Sequence, residues 1–152
     1  MNATLALPFG AFGIRIGGDA VEELVFLPPD TPATAPDCAL AERAAGQILA
    51  WLDDPDRPFD LPLVRRGTLF QHRVWAAIAK IPRGERRRYG ILATELGSAP
   101  RAIGQACGAN PFPIVVPCHR VVSATGIGGF AGSTGGYLID AKRWLLDFES
   151  RR

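Results

Sequence analysis

The chain lacks the features that mark exported, membrane-spanning or metal-stapled proteins. No run of about 18 apolar residues occurs in its 152 residues, so no transmembrane helix is expected. Met1-Asn2-Ala3-Thr4-Leu5 has no basic residue and makes a poor signal peptide. Only three cysteines are present, Cys38, Cys107 and Cys118, without Cys-x-x-Cys spacing. That argues against a disulfide framework and a four-ligand zinc site, and for a reducing, cytoplasmic setting with no metal. Acids are scarce in the second half. Residues 63–152 hold fourteen Lys and Arg against five acids, a net of +9, whereas residues 1–62 hold three Arg against ten acids, a net of −7. This split suggests a polyanion-binding surface on one side only. The glycine-rich stretch Gly126–Gly136 lacks Gly-Lys-Ser/Thr, and no acid follows at ribose-binding distance, so no nucleotide site is expected there.

The hydrophobic share, 47%, is that of an ordinary globular protein of one or two small domains. Phe9–Ile16 and Val21–Leu27 read as a hairpin around Gly17-Gly18-Asp19. Leu40, Ala44, Ala45, Ile48, Leu49 and Leu52 recur at helical spacing, predicting a helix over Asp37–Leu52 that covers the small sheet. Asp53–Pro58 is a linker by composition. Residues 1–62 therefore form a first, sheet-plus-helix domain, in which no chemistry is legible.

The second domain, 63–152, opens on the capping box Thr68-x-x-Gln71. Phe70, Val74, Ala77, Ile78 and Ile81 mark one apolar face, and Trp75 is expected in the core. Arg83–Arg88 is a basic cluster suited to phosphates. Tyr89–Leu96, ended by Gly97, and Arg101–Ala109, with Pro100 at its first position, read as a helix-turn-helix. The second of these helices is mostly small: Ala102, Gly104, Ala106, Gly108 and Ala109 offer nothing to hydrogen-bond base edges. That suits close approach to DNA without sequence readout, with Arg101 as the one long probe.

The reactive stretch is Pro117-Cys118-His119-Arg120. The run Ile114–Val116 predicts a short strand that carries a cysteine inward. A thiol is a strong nucleophile only as the thiolate, and a neighbouring base or cation is the usual way to make one. Adjacent residues on a strand face opposite sides, so Cys118 and His119 cooperate only if Pro117 breaks the strand or a water bridges them.

Pro-Cys-His-Arg-Val-Val, preceded by Asn110-Pro111, resembles the active-site signature of the O6-alkylguanine-DNA alkyltransferases. Phe70-Gln71, Val74-Trp75, Ile81-Pro82-x-Gly84, Tyr89, Arg101-Ala102-x-Gly104 and Lys142-Arg143-Trp144-Leu145-Leu146 with Glu149 follow in the family's order. The likeness is close over 68–149 and holds only in outline over the first 65 residues. It implies an α/β protein: an RNase H-like antiparallel sheet plus helix, then a mainly helical domain with a winged helix-turn-helix. It implies direct-reversal repair, a single irreversible transfer of an alkyl group from O6-alkylguanine, and O4-alkylthymine, to Cys118. His119 is then the base, acting through a water, and Glu149 orients it. Tyr89 helps rotate the nucleotide out and donates a proton to guanine. Asn110 is a hinge, and Arg101 fills the space the base vacates. Arg86, Arg87, Arg88, Ala102, Gly104 and Arg120 join Tyr89 and Arg101 on the DNA side. Pro113, Val121, Phe130, Ala131 and Gly132 line the alkyl pocket. The implied partner is double-stranded DNA containing alkylated guanine. No cofactor or membrane is involved, and the protein is a monomer in solution with cooperative loading on DNA left open. The stretch near Ser133-Thr134 is longer than the usual family form, and Phe130-Ala131 replaces the Tyr-Ser of some members, which bears on substrate range.

Overall fold

The computed structural model describes residues 1–130 and 135–151. The chain divides into two compact units, Met1–Arg66 and Gly67–Arg152.

The first unit contains a three-stranded antiparallel sheet, β1 (Ala3–Leu7), β2 (Gly10–Gly17) and β3 (Ala20–Leu27), in the order β1-β2-β3. The hairpin expected from sequence is β2–β3. The extra strand, β1, pairs with β2 from Ala3↔Ile14 to Leu7↔Gly10. Its Ala3 and Thr4 are buried despite their small apolar area, so composition alone did not betray it. Phe12 and Phe26 are cross-strand partners and meet edge to face at 5.0 Å, with Phe9 against both. Such pairs are where sheets gain stability, and each buried Phe contributes roughly 1.5–3 kcal/mol.

Helix α1 (Ala39–Asp53) packs against all three strands. Ala41, Ala44 and Ala45 let its backbone approach closely, and Ile48 and Trp51 fill what remains. Leu49, expected on this face, is 51% exposed, and Trp51 takes the buried position instead. After α1 the chain is tied back to it. The Gln47 side chain both donates to the Asp60 carbonyl and accepts from the Asp60 N–H, and Arg43 pairs with the Asp60 carboxylate at 3.0 Å. Residues 62–64 then pair with Val21 through Val21 N–H to Pro62 O and Val64 N–H to Val21 O. That pairing keeps residues beyond 62 with the first unit.

The second unit has helices α2 (Leu69–Ala79), α3 (Tyr89–Glu95), α4 (Pro100–Gly108) and α5 (Gly136–Ser150). Both bonds of the Thr68–Gln71 capping box are present at the start of α2. Gly67 has φ +104°, and a Cβ there would lie 2.7 Å from the Trp75 ring, so the turn into α2 requires glycine. Trp75 is buried, and its indole N–H donates to the Ala106 carbonyl at 2.8 Å, which anchors α2 to α4. Helices α3 and α4 pack together across a turn in which Gly97 has φ +64°. Pro100 occupies the first turn of α4, where its missing N–H costs nothing. Arg87–Arg88 (β4) pairs in parallel with Val121–Val122 (β5).

The strand expected over Ile114–Val116 does not form. Ile114 has φ 75°, a region that a β-branched residue rarely enters, and a tight turn results. Burial of Ile114 offsets part of a strain of roughly 1–3 kcal/mol. The Val116 N–H donates to Phe112 O, and the Cys118 N–H to Val116 O, both at 2.8 Å. With φ −80° and ψ 64°, Pro117 is the centre of an inverse γ-turn. The chain leaves it as a 3-10 turn, Cys118–Arg120.

Candidate active site

That turn sends Cys118 toward Asn110, and His119 and Arg120 toward the one carboxylate of Glu149. Cys118, His119 and Arg120 are all buried. The Asn110 side-chain amide donates to Cys118 Sγ at 3.2 Å and to the Val116 carbonyl at 2.9 Å. Its oxygen accepts from the Phe112 N–H at 3.0 Å, which fixes the amide's orientation. The second neighbour of Cys118 is the Cys107 thiol, near the end of α4. That hydrogen-bonded thiol, then burial, push Cys118 well above the ordinary thiol range, while Asn110 and the Lys142 ammonium pull the other way. Cys107 moves downward, because its sulfur is hydrogen-bonded by Cys118.

His119 and Glu149 are each 1% exposed, and His119 Nε2 lies 2.9 Å from Glu149 Oε1. Arg120 Nε donates to both Glu149 oxygens at 3.1 Å, a terminal nitrogen closes on Oε2, and the other donates to the Ile81 carbonyl at 2.7 Å. Burial opposes the Glu149 charge, but the hydrogen bonds from His119 and Arg120 win and hold its pKa at about 2. Burial pulls the His119 pKa down, so the ring is neutral at pH 7. A neutral ring beside a carboxylate carries its hydrogen on Nε2 and donates it, which makes Nδ1 the basic nitrogen.

Lys142 is fully buried, and its ammonium donates to Val121 O at 2.7 Å and Gly129 O at 2.9 Å. Desolvation lowers its pKa to about 8. The Tyr89 hydroxyl donates to the same Gly129 carbonyl at 3.2 Å. Burial first, then the two cysteines, raise the Tyr89 pKa, so the phenol keeps its proton. A Cβ on Gly128 would come 3.0 Å from the Tyr89 ring, so this loop needs glycine to pass so near.

A cavity of about 710 Å³ opens over Cys118, lined also by Arg88, Tyr89, Arg101, Gly104, Cys107 and Phe130. Residues from α3, α4 and the segment after β5 thus converge on one thiol. Several expected positions fall elsewhere. Arg120, expected on the DNA side, is 8% exposed and spends its guanidinium on Glu149 and Ile81. Pro113 and Val121, expected in the pocket wall, do not line the cavity, and Val121 is instead core beneath β5. Ala131 and Gly132 lie outside the described residues, as does Ser133-Thr134. Arg86, Arg87 and Ala102 flank the cavity lining without joining it, and the Arg87 side chain pairs with Glu95 at 3.3 Å. Cys107, Ile91, Ser123 and Ala124 line the cavity without having been singled out for it. Among the described residues no cluster of His, Cys, Asp and Glu is arranged to hold a metal ion. No described helix is long and apolar enough to cross a membrane.

The buried network makes stability depend on acid. The folded pKa values of His119 and Glu149 both lie below their ordinary ones, so the unfolded chain binds protons first as pH falls. The His119 contribution is complete above about pH 6.5 and declines below it. The Glu149 contribution, roughly 3 kcal/mol, declines from about pH 4.3 downward. Urea unfolding from about pH 7 to about pH 4 should show stability falling throughout and steepening at the acid end. A flat profile over that range would contradict the network.

Comparison with known proteins places the geometry in a lineage. Residues 69–151 match the family model described as 6-O-methylguanine DNA methyltransferase, DNA binding domain. The chain is 38% identical to the methylated-DNA–protein-cysteine methyltransferase of Mycobacterium tuberculosis H37Rv, over 98% of this chain and 92% of that one. It is 34% identical to that of Methanosarcina mazei, over 91% and 90%. The crystal structure of Mycobacterium tuberculosis O6-methylguanine methyltransferase superposes with a TM-score of 0.80 at 38% identity, covering 98% of this chain and 92% of the other. A second structure of the Mycobacterium tuberculosis protein, in complex with DNA, gives 0.77 at 36% identity over 97% and 91%. With its Pro-Cys-His-Arg turn beneath a cavity, and a fold shared with these proteins over nearly its whole length, the chain belongs to the methylated-DNA–protein-cysteine methyltransferase family.

Proposed function

We propose that this protein repairs alkylated DNA by moving the alkyl group from guanine O6 onto Cys118. The observation that carries the reading is that Cys118, Tyr89 and Arg101 border one cavity. Base chemistry of this kind requires the nucleotide to leave the stack. A flipped guanine in that cavity meets the sulfur on one side and a protonated phenol on the other.

The step balances as follows. The Cys118 thiol gives its proton through a water to His119, whose cationic form the ionised Glu149 stabilises. The thiolate attacks the alkyl carbon, the carbon–O6 bond breaks, and guanine leaves as an anion that takes a proton from Tyr89. The product is a thioether. It has no carbonyl for water to attack, so each molecule acts once. Alkylthymine, with the same O-alkyl geometry, is a second substrate of this reading. Asn110 holds the sulfur, and its bond to Val116 O ties α4 to the reactive turn. Arg120 is a positioning residue that acts through Glu149.

Helices α3 and α4 serve as a helix-turn-helix, with the paired strands β4 and β5 as its wing. Small residues along α4 allow close approach, and the exposed Arg86 and Arg88 supply phosphate contacts. The three strands crossed by α1 support an RNase H-like first unit. Intact mass of the protein after mixing with duplex containing O6-methylguanine tests the function. One stable methyl group per molecule supports transfer. Binding without mass change means a lesion reader, and many demethylations per molecule mean a hydrolase.

Arg101→Ala should slow repair of duplex at least about tenfold, since extrusion must overcome a few kcal/mol of stacking and pairing. Reaction with free O6-methylguanine should change little, because a free base needs no extrusion. Equal losses on both substrates would contradict the role of Arg101.

A further inference from the structure

We propose that Cys107 and Cys118 form a reversible intramolecular disulfide, so that Cys107 is a resolving thiol for the reactive cysteine. Both are free thiols, both are buried, and both border the same cavity. Asn110 bridges them: its backbone N–H donates to the Cys107 carbonyl at 3.2 Å, and its side chain donates to Cys118 Sγ at 3.2 Å. Each thiol shifts the other's proton affinity, Cys107 downward and Cys118 upward, as neighbouring sulfurs on one cavity wall do. The S–S bond, about 2.05 Å long, would join the end of α4 to the Cys118 turn. Cys38 is exposed and belongs to the other compact unit.

The oxidant is a peroxide. A cavity of about 710 Å³ that leads to Cys118 is far larger than hydrogen peroxide needs. The Cys118 sulfur, as its thiolate, displaces hydroxide from the peroxide and becomes a sulfenic acid. The Cys107 sulfur, the more acidic of the pair, attacks that sulfenic sulfur, and water leaves. In sum two thiols and one peroxide give one disulfide and two waters. A dithiol reverses the bond by exchange.

The pairing matters because sulfinic acid is a dead end for most cysteines. A sulfur held as a disulfide is shielded from that fate and can be returned to use. The consequence for alkyl transfer rests on the proposed function, whereas formation of the bond does not.

The test uses Cys38→Ser, a surface change that leaves only the pair. The protein is treated with hydrogen peroxide, unfolded, blocked with iodoacetamide and digested. The expected result is a Cys107–Cys118 linked peptide, a chain lighter by two hydrogens, and recovery of both thiols with dithiothreitol. The same peptide is expected from the wild-type chain. In Cys38→Ser/Cys107→Ser, peroxide should carry Cys118 to sulfinic acid that dithiothreitol does not reverse. Oxidised Cys118 beside an iodoacetamide-blocked Cys107, or two untouched thiols, would overturn the pairing. So would equal recovery of Cys118 with and without Cys107. Alkyl uptake is measured on untreated protein, so a chain that transfers nothing is recognised separately.

Discussion

Cys118→Ser takes up no alkyl group from O6-methylguanine duplex yet still binds it. This is the largest effect expected of any single substitution in the chain. Serine is close in size to cysteine, so the buried position and its Asn110 contact survive. What disappears is the nucleophile. An alcohol ionises far less readily than a thiol, and a neutral His119 is too weak a base to make an alkoxide. Arg88 and Arg101 are untouched, so the attraction to phosphate remains. Intact mass measures uptake, and gel shift at low salt measures binding. Cys38→Ser, at an exposed site in the other unit, should take up one full equivalent. Any alkyl group on the Cys118 variant would sink the assignment.

Arg120→Ala destabilises the protein by about 3–5 kcal/mol, the range for stripping one partner from a buried ion pair. A whole domain has roughly 5–15 kcal/mol. The substitution removes three hydrogen bonds to Glu149 and one to Ile81 O. The carboxylate stays buried with His119 alone, and the low pKa held by two partners must rise. The acid-linked loss of stability that Glu149 contributes therefore shrinks relative to the wild type. Arg120→Ala/Glu149→Gln should cost less than the sum of the single changes, since the double variant has no charge to strand. Denaturant unfolding of the four proteins decides it. A loss below about 1 kcal/mol, as expected for an exposed arginine, would return Arg120 to the DNA surface.

Local signals carried much of this fold. Thr68 and Gln71 sit at capping-box spacing and form both bonds. Pro100 marks the start of α4, and the alternating apolar runs of β2 and β3 mark the hairpin. These features depend on a few neighbouring residues, so sequence suffices to find them. Failures came where distant segments decide. Ile114–Val116 has the composition of a strand, but Asn110, Phe112 and Val116 bond to one another and force a turn. Trp51 displaces Leu49 from the buried face of α1 because the sheet, not the periodicity, chooses which side chain fits. Arg120 is expected on the DNA side from the family resemblance, but its counterion lies in α5. Nothing in the spacing of Cys107 and Cys118 says that a helix end and a 3-10 turn bring them together.

The salt link between the reactive turn and α5 also orders events in time. Glu149 follows His119 by 30 positions and Arg120 by 29. At about 5–20 residues per second, synthesis therefore leaves the turn without its carboxylate for a second or more. Throughout that interval His119 and Arg120 have been made and their counterion has not. A nascent chain stalled anywhere between them holds Cys118 on an unfastened backbone. The turn that carries the nucleophile is thus fastened only after the residue 30 positions beyond His119 has been made.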